Sequence, residues 1–374
     1  MTHFQVTCTN CNAILLPDMT NFLCNVCAST LQVKYPDPDY LCAQPPGWSG
    51  PHIPTPIHDI DSYVSLGEGN TPLTPLPRLG DFLGLSHLSA KLEFLNPTGS
   101  YKDRGTATMI SVAHELGVNE IIEDSSGNAG ASVSAYSARA GIKAHIFAPQ
   151  NAPQAKIAQI IVYGAEPHLI PGPREFTTTA ALDYVRRKNI TYASHNLSPF
   201  FVEGTKSFAY EVFTQMKHNM PDHIVMPVGN GSLYLGAWKG FMELKEKGHL
   251  EKIPKLHCIQ AKEVMPIVSE INGQDWTPGN NVTVAGGISS ATPPHKEAII
   301  DVLRRSNGTA AAVEEKAIIS HQKKLADLEG IYAEPTSSAA FAGLSELMEI
   351  GRISSEDHVL LPVTGFGLKD NPPI

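Results

Sequence analysis

Four cysteines near the start of the chain form two Cys-x-x-Cys pairs, Cys8 with Cys11 and Cys24 with Cys27, separated by twelve residues. A tight turn lets both thiolates of a pair face one ion, and two pairs complete the tetrahedron of a zinc ribbon or knuckle. With all four positions filled by protein, such a site would hold structure and leave no open position for catalysis. Reduced thiols that carry no metal are the other reading of the same residues. No Lys or Arg lies between Cys8 and Cys27, so the module lacks the charge to grip nucleic acid. Cys42 stands outside the four-ligand spacing and reads as a buried thiol.

A different chemistry is suggested by Asn96-Pro97-Thr98-Gly99-Ser100-Tyr101-Lys102-Asp103-Arg104-Gly105. Ser100 and Asp103 have capping-box spacing, which places Lys102 in the first turn of a helix. Peptide dipoles make that an unfavourable place for an ammonium and a better one for the neutral amine that imine chemistry needs. Exposed lysines also occur in first turns, so position alone leaves both readings open. Two turns could receive anions. Ser125-Ser126-Gly127-Asn128-Ala129-Gly130 follows an apolar run and opens a helical one, presenting N–H groups and hydroxyls to a carboxylate; a plain strand–helix turn explains it as well. Val228-Gly229-Asn230-Gly231-Ser232 has the form of a phosphate nest at a helix start. A dinucleotide fingerprint fails there, because Tyr234 stands where its third glycine belongs.

Positioning these groups calls for alternating strands and helices. Candidate strands are Leu88–Leu92, Glu120–Glu123, Ala144–Ala148, Pro167–Leu169, His223–Val228, Leu256–Gln260 and His358–Pro362. Candidate helices are Lys102–Leu116, Ala131–Ala140, Ala155–Tyr163, Thr177–Lys188, Thr205–Lys217, Leu233–Lys247 and Ser337–Met348. The alternation predicts an α/β fold with parallel sheets covered on both faces. Between Tyr35 and Pro56 the prolines at 36, 38, 45, 46, 51, 54 and 56 predict an extended arm.

The lysine segment closely resembles the lysine motif of fold-type II pyridoxal-phosphate enzymes, threonine synthases most of all. Further similar segments follow in order from about Leu66 to Asp370. The resemblance implies that Lys102 carries pyridoxal phosphate as a Schiff base and serves as general base once displaced. It makes Ser125, Ser126, Gly127, Asn128 and Ala129 the substrate-carboxylate loop, with Asn128 also on the cofactor's phenolic oxygen. Gly229, Asn230, Gly231 and Ser232 become the cofactor-phosphate loop, though threonine synthases usually carry a Gly-Asn-Ala-Gly-Asn form. Pro362-Val363-Thr364-Gly365-Phe366-Gly367-Leu368-Lys369-Asp370 is similar to a terminal family motif, which sets Thr364 against the pyridine nitrogen. Glu334-Pro335-Thr336-Ser337-Ser338-Ala339 matches a segment lining the cofactor pocket.

The fold implied is tryptophan synthase β-like: two α/β domains plus a small zinc-ribbon-like module. Residues 1–34 form the module, 35–65 the arm and 66–374 the catalytic region. Within the last, a smaller domain spans about 115–200, with the active site between it and the remainder. The activity implied is conversion of O-phosphohomoserine and water to threonine and phosphate by a homodimer. One segment departs. In Ser198-Pro199-Phe200-Phe201, Ser198 takes the family's Asn place and Phe201 that of an Arg expected to grip the substrate phosphate. Either Lys206 or Arg104 compensates, or the substrate is a non-phosphorylated amino acid, as for a threonine/serine dehydratase or other β-eliminating or replacing enzyme. Gly286 and Gly287 also stand where the family tends to have bulkier or polar residues. A reading of another class is a cofactor-bound regulator whose zinc module is a contact surface.

Composition bounds the rest. At 374 residues with 42% hydrophobic and 17% charged, the chain can bury a substantial core. A net charge of −9 argues against a nucleic-acid partner and leaves a small phosphorylated ligand open. No charged segment followed by an apolar run opens the sequence, and no apolar stretch is long enough to cross a membrane. The expectation is a cytoplasmic, soluble protein with reduced cysteines. The fifteen histidines lack local metal-binding spacing, and no Gly-x-Ser-x-Gly elbow supports a serine nucleophile.

Overall fold

The computed structural model describes residues 3–370 except positions 20, 38, 153, 173, 218 and 278–281; Pro38 of the proline-rich segment lies outside the described residues. Two compact units make up the chain, one of Met1–Gly69, Asn96–Thr98 and Lys102–Ser207, the other of Asn70–Leu95, Gly99–Tyr101 and Phe208–Ile374.

In the first unit, Gln5–Cys8 pairs antiparallel with Ile14–Leu15 on one side and Leu31–Lys34 on the other. A second sheet has four parallel strands in the order Glu166–Ile170, Lys143–Pro149, Glu120–Glu123 and Thr191–Tyr192. Lys143–Pro149 lies inside this sheet and five consecutive residues, Ala144–Ala148, are buried, as a parallel strand covered on both faces requires. The Asn128–Ala140 helix ends where Gly141 takes a left-handed φ of 69°, the helix stop that glycine adopts without penalty.

One hydrophobic core runs through this unit. It joins Phe4, Val6, Cys8, Cys24 and Leu31 of the small sheet to Ile57 and Val64 of the following segment and to Ala107, Ile110 and Phe201. The proline-rich segment is tied down by side chains where prolines withhold N–H groups. Gln44 brackets Ile53 through two 2.9 Å bonds, and Thr55 Oγ1 donates to the Ala43 carbonyl at 2.6 Å. Further on, the Val64 N–H donates to Ser111 Oγ, and the Asp59 N–H to the Glu115 carboxylate. The arm therefore lies along the Lys102–Glu115 helix.

The second unit holds a six-stranded sheet in the order Ala310–Val313, Lys255–Ala261, His223–Pro227, His358–Pro362, His87–Lys91 and Leu73–Pro75. All its neighbours run parallel except the edge pair Leu73–Pro75 and His87–Lys91. Its core gathers Ala90, Val225, Ile259, Leu361 and the inner face of the Pro335–Glu349 helix. Lys91, with no exposed surface, pairs with Glu211 at 2.8 Å and also donates to the Thr71 carbonyl and Gln215. No helix among the described residues is long and apolar enough to cross a membrane.

All seven predicted strands and all seven predicted helices overlap observed elements, with one correction of continuity. The helix expected over Thr205–Lys217 is two, Pro199–Thr205 and Ser207–Met216. Proline at the first position starts the earlier helix. The later one stops before Lys217, whose φ is 47°.

Candidate active site

Lys102 is the first residue of the Lys102–Glu115 helix. The capping residue behind it reaches further back than the box spacing suggests. Asp103, fully buried, accepts from the Thr98 N–H at 2.7 Å and from Thr98 Oγ1 at 2.6 Å. The same carboxylate accepts from Ser132 Oγ at 2.6 Å, which ties the lysine helix to the Asn128–Ala140 helix. Sequence reasoning treated Asp103 as a cap alone; its second role needed a partner 29 residues away.

The Ser125–Ala129 turn leads from the end of Glu120–Glu123 into that second helix, whose cap is Gly127 with no side-chain cap bond. The Gly127 N–H meets Ser125 Oγ at 3.3 Å. A methyl on Gly130 would collide with the Ser125 carbonyl, so the turn can be this tight only with glycine there. Lys102, Asp103 and the Ser125–Ala129 turn thus belong to one unit, with two helix N-termini joined by a shared carboxylate.

Phe201 is fully buried in the Pro199–Thr205 helix. Lys102 Nζ lies 5.7 Å from the centre of its ring, and the His195 ring is 5.9 Å away. A methyl on Gly105 would fall 2.5 Å from the Phe201 ring. An aromatic face therefore stands beside the lysine amine. The two cations considered as substitutes for an arginine already have partners. Lys206 is fully buried against Glu203 at 2.8 Å and sits 4.6 Å from the Tyr35 ring, while Tyr35 OH donates to Glu203 at 2.6 Å. Arg104 donates to Ser207 Oγ at 3.0 Å.

In the second unit, Gly231 caps the fifteen-residue Ser232–Glu246 helix with φ of 82° and no side-chain cap bond. Glycine is needed twice more around this helix start. A Cβ on Gly229 would sit 2.9 Å from Ile288 Cα, and one on Gly287 would sit 2.8 Å from Thr336 Oγ1. Gly287, at a place where the family tends to have a bulkier or polar residue, lets its N–H reach Thr336 Oγ1 at 2.9 Å. Asn230 accepts from Ser290 Oγ at 2.7 Å. The result is a glycine-rich helix N-terminus with no acidic residue in the first turn, suited to a phosphate.

Thr364, at the end of His358–Pro362, is buried and lies 2.9 Å from Ser337 Oγ. Its hydroxyl donates to Glu334 Oε1 at 3.3 Å, and Glu334 is itself 4% exposed. The Glu334 carboxylate occupies the space a Cβ on Gly365 would take. Tyr101 belongs to this unit: its N–H donates to the Thr364 carbonyl at 3.0 Å and its hydroxyl lies 3.1 Å from Ser232 Oγ.

At the other end of the chain, Cys8 Sγ lies 3.4 Å from Cys27 Sγ and Cys11 Sγ 3.7 Å from Cys24 Sγ. Backbone N–H groups of Asn10 and Cys11 point at Cys8 Sγ, and that of Val26 at Cys24 Sγ, each at 3.4 Å. The Ser29 hydroxyl and N–H push the Cys27 thiol down to about 6.

A profile of the pyridoxal-phosphate dependent enzymes matches residues 64–365. Threonine synthase of Methanocaldococcus jannaschii is 37% identical over 322 residues, covering 84% of this chain and 78% of that protein. Threonine synthase of Methanosarcina acetivorans is 34% identical over 378 residues, covering 98% of this chain and 92% of its own length. Among solved structures, the processed form of threonine deaminase isoform 2 from Solanum lycopersicum superposes with a TM-score of 0.68 at 21% identity, over 79% of each chain; this likeness speaks for the fold-type II architecture. By profile, by relatives and by fold, the chain belongs to the pyridoxal-phosphate dependent enzymes, in the threonine synthase family.

Proposed function

We propose that this enzyme converts O-phosphohomoserine and water to threonine and phosphate, with Lys102 as the cofactor lysine. The observation that carries the reading is the pair of relatives at 34–37% identity over 84% and 98% of this chain, both threonine synthases. The residues fit the cofactor. The glycine-rich helix start at Gly229–Ser232 suits its phosphate, Thr364 offers a hydroxyl for the ring nitrogen, and Asn128 offers an amide for the phenolic oxygen. Pyridoxal phosphate, when bound, supplies an electron sink for negative charge developing at the substrate's α-carbon.

The chain's own residues do the rest. The Lys102 amine takes and returns protons at the substrate carbons. Ser125, Ser126, Gly127, Asn128 and Ala129 hold the substrate carboxylate with N–H groups and hydroxyls. Asp103 keeps the lysine helix in register with that turn. Glu334 accepts from the Thr364 hydroxyl, which orients that hydroxyl's lone pairs for other donors.

Phe201 supports a second reading. An apolar ring beside Lys102, with Lys206 already paired to Glu203, offers no guanidinium to a substrate phosphate. A dehydratase or β-replacing enzyme acting on a non-phosphorylated amino acid needs none. Phosphate release from O-phosphohomoserine, measured beside keto-acid formation from threonine and serine, separates the two. Turnover of the first substrate is expected; its absence, with turnover of threonine or serine, would favour the dehydratase. Lys102→Ala should abolish turnover of whichever substrate is used, and undiminished activity would overturn the assignment of the lysine.

The four cysteines fit structural zinc. An ion about 2.3 Å from four sulfurs holds them about 3.8 Å apart, and the observed Sγ pairs are 3.4 and 3.7 Å apart. We assign Cys8, Cys11, Cys24 and Cys27 as its ligands in a zinc-ribbon-like module spanning residues 1–34, followed by the arm at 35–65 and the catalytic region at 66–374. A cytoplasmic homodimer with no nucleic-acid partner completes the reading; sedimentation of purified protein tests the dimer.

A further inference from the structure

The four-stranded parallel sheet carries a second group of side chains suited to chemistry, at the ends of its strands opposite the Ser125–Ala129 turn. His145 lies on Lys143–Pro149, and Glu166 and His168 lie on the neighbouring Glu166–Ile170. Glu166 sits beside His145 in the register and His168 beside Phe147. With the two-residue period of a strand, all three therefore project from one face.

Their geometry converges on a point. His145 Nδ1 is 3.1 Å from His168 Nε2 and 3.5 Å from Glu166 Oε2, and His168 Nε2 is 3.6 Å from Glu166 Oε1. Two imidazole nitrogens bound to one tetrahedral ion at about 2.05 Å would lie about 3.3 Å apart. The far nitrogen of His145, Nε2, faces Glu120 Oε2 at 3.3 Å. A carboxylate there holds the proton on Nε2 and leaves Nδ1 bare, the arrangement that orients metal-binding histidines. His168 is stacked on Phe147, centroids 4.5 Å apart and planes 8° from parallel, which fixes the direction of its ring. A cleft of about 590 Å³ lined in part by Glu120, Lys143 and His145 opens beside the group and gives access.

We propose that His145, His168 and Glu166 bind one divalent transition-metal ion of the zinc class, with Glu120 orienting His145 and a fourth position open to water. Two imidazoles and one carboxylate select zinc, nickel or cobalt over magnesium and calcium, which take oxygen shells. This site is distinct from the four cysteines and independent of the catalytic reading. The ion joins two adjacent strands. Lys143 competes for Glu166 at 3.2 Å, but both side chains are about half exposed, and exchanging a surface ion pair for a metal bond costs little.

The test uses the full-length holoenzyme, dialysed against buffered micromolar zinc and assayed for zinc per chain. Comparison is with His168→Ala and Glu166→Gln, neither of which touches the cysteines. Wild type is expected to hold one zinc more than His168→Ala, and Glu120→Gln to weaken that second zinc by about tenfold. Added zinc should raise the melting temperature of wild type and not of His168→Ala. Glu166 is half exposed, so its variant keeps the comparison open if His168→Ala misfolds. Equal zinc content in wild type and the folded variants would overturn the site and leave the two histidines as a hydrogen-bonded pair. An unchanged affinity in Glu120→Gln would remove Glu120 from it.

Discussion

Gly204 is where the lysine helix is most sensitive to a single methyl group. The Pro199–Thr205 helix packs against the start of Lys102–Glu115 with no side chain between them at this point. A Cβ on Gly204 would lie 2.8 Å from both the Arg104 carbonyl carbon and Gly105 Cα, and closer still to the Arg104 oxygen. Carbon atoms in contact prefer about 3.5–4.0 Å, so Gly204→Ala must open the two backbones by about 1 Å. Backbone cannot rotate away as a long side chain can. The cost should therefore reach the upper part of the overpacking range, about 2–3 kcal/mol. At about 2–4 °C per kcal/mol for a domain of this size, the melting temperature should fall by roughly 4–12 °C.

The functional consequence exceeds the stability loss, because the clash falls within two residues of Lys102. A misplacement of about 1 Å at a reacting group costs on the order of a hundredfold in rate. Thermal melts and steady-state kinetics on the same preparation check both. Gly286→Ala is the control: a Cβ there meets nothing within 4 Å, and its melting temperature should match wild type. A Gly204→Ala protein with wild-type melting temperature and kcat would refute the claim that this close approach positions the lysine.

Lys91→Ala leaves the Glu211 carboxylate buried without its cation and should cost about 3–5 kcal/mol in urea unfolding, whereas Lys91→Met with Glu211→Leu should recover most of it. The buried pair His223 and His257, 2.8 Å apart, gives the fold an acid limit. Burial, reinforced by the neighbouring His223, pushes the His257 imidazole down to about 3, against about 6.5 when unfolded. Its contribution is fully present above about pH 6.5 and is lost as pH falls toward 3, at up to about 1.4 kcal/mol per pH unit. Unfolding free energies measured from pH 7 to 4 should show this slope, and His257→Gln should flatten it. Stripping zinc with a chelator, or Cys11→Ser, should lower the single melting transition of the Lys102 unit; a separate low-temperature transition would contradict the shared core.

Most elements built on apolar periodicity were legible, the Lys296–Arg305 helix with its buried Ile299, Ile300, Val302 and Leu303 being an exception, and several built on close approach or polar burial were not. Lys143–Pro149 declared itself because five adjacent residues are buried. The Glu315–Glu329 helix went unseen because its inward stripe is Ile318, His321, Gln322 and Leu325, two of them polar. Gln322 is buried to donate to the Ala333 carbonyl at 2.7 Å, a reason no window of sequence contains. Pro199–Thr205 is seven residues long, too short to hold itself as a helix in isolation, and exists because Gly204 and Gly105 allow it to dock. The motif residues could be named from their order in the chain. Asp103 as a bridge to Ser132, and Glu334 as the acceptor behind Thr364, depend on contacts between segments far apart in sequence.

The same distinction governs the cysteine module. By sequence it reads as an appendage, ending where the prolines begin. Its inner residues Phe4, Val6, Cys8 and Cys24 share one core with Ala107, Ile110 and Phe201, and Phe4 meets Phe200 edge to face at 5.9 Å. Tyr35, just past its last strand, closes on the buried Lys206–Glu203 pair. A close-packed core transmits displacement, since it has no slack to absorb it. An ion that fixes Cys8 and Cys24 therefore also fixes the wall behind Phe200 and Phe201, and through Phe201 the face presented to the Lys102 amine. On this argument the zinc ion proposed for the four cysteines would act on the Lys102 amine without touching it, by holding the aromatic ring beside it in place.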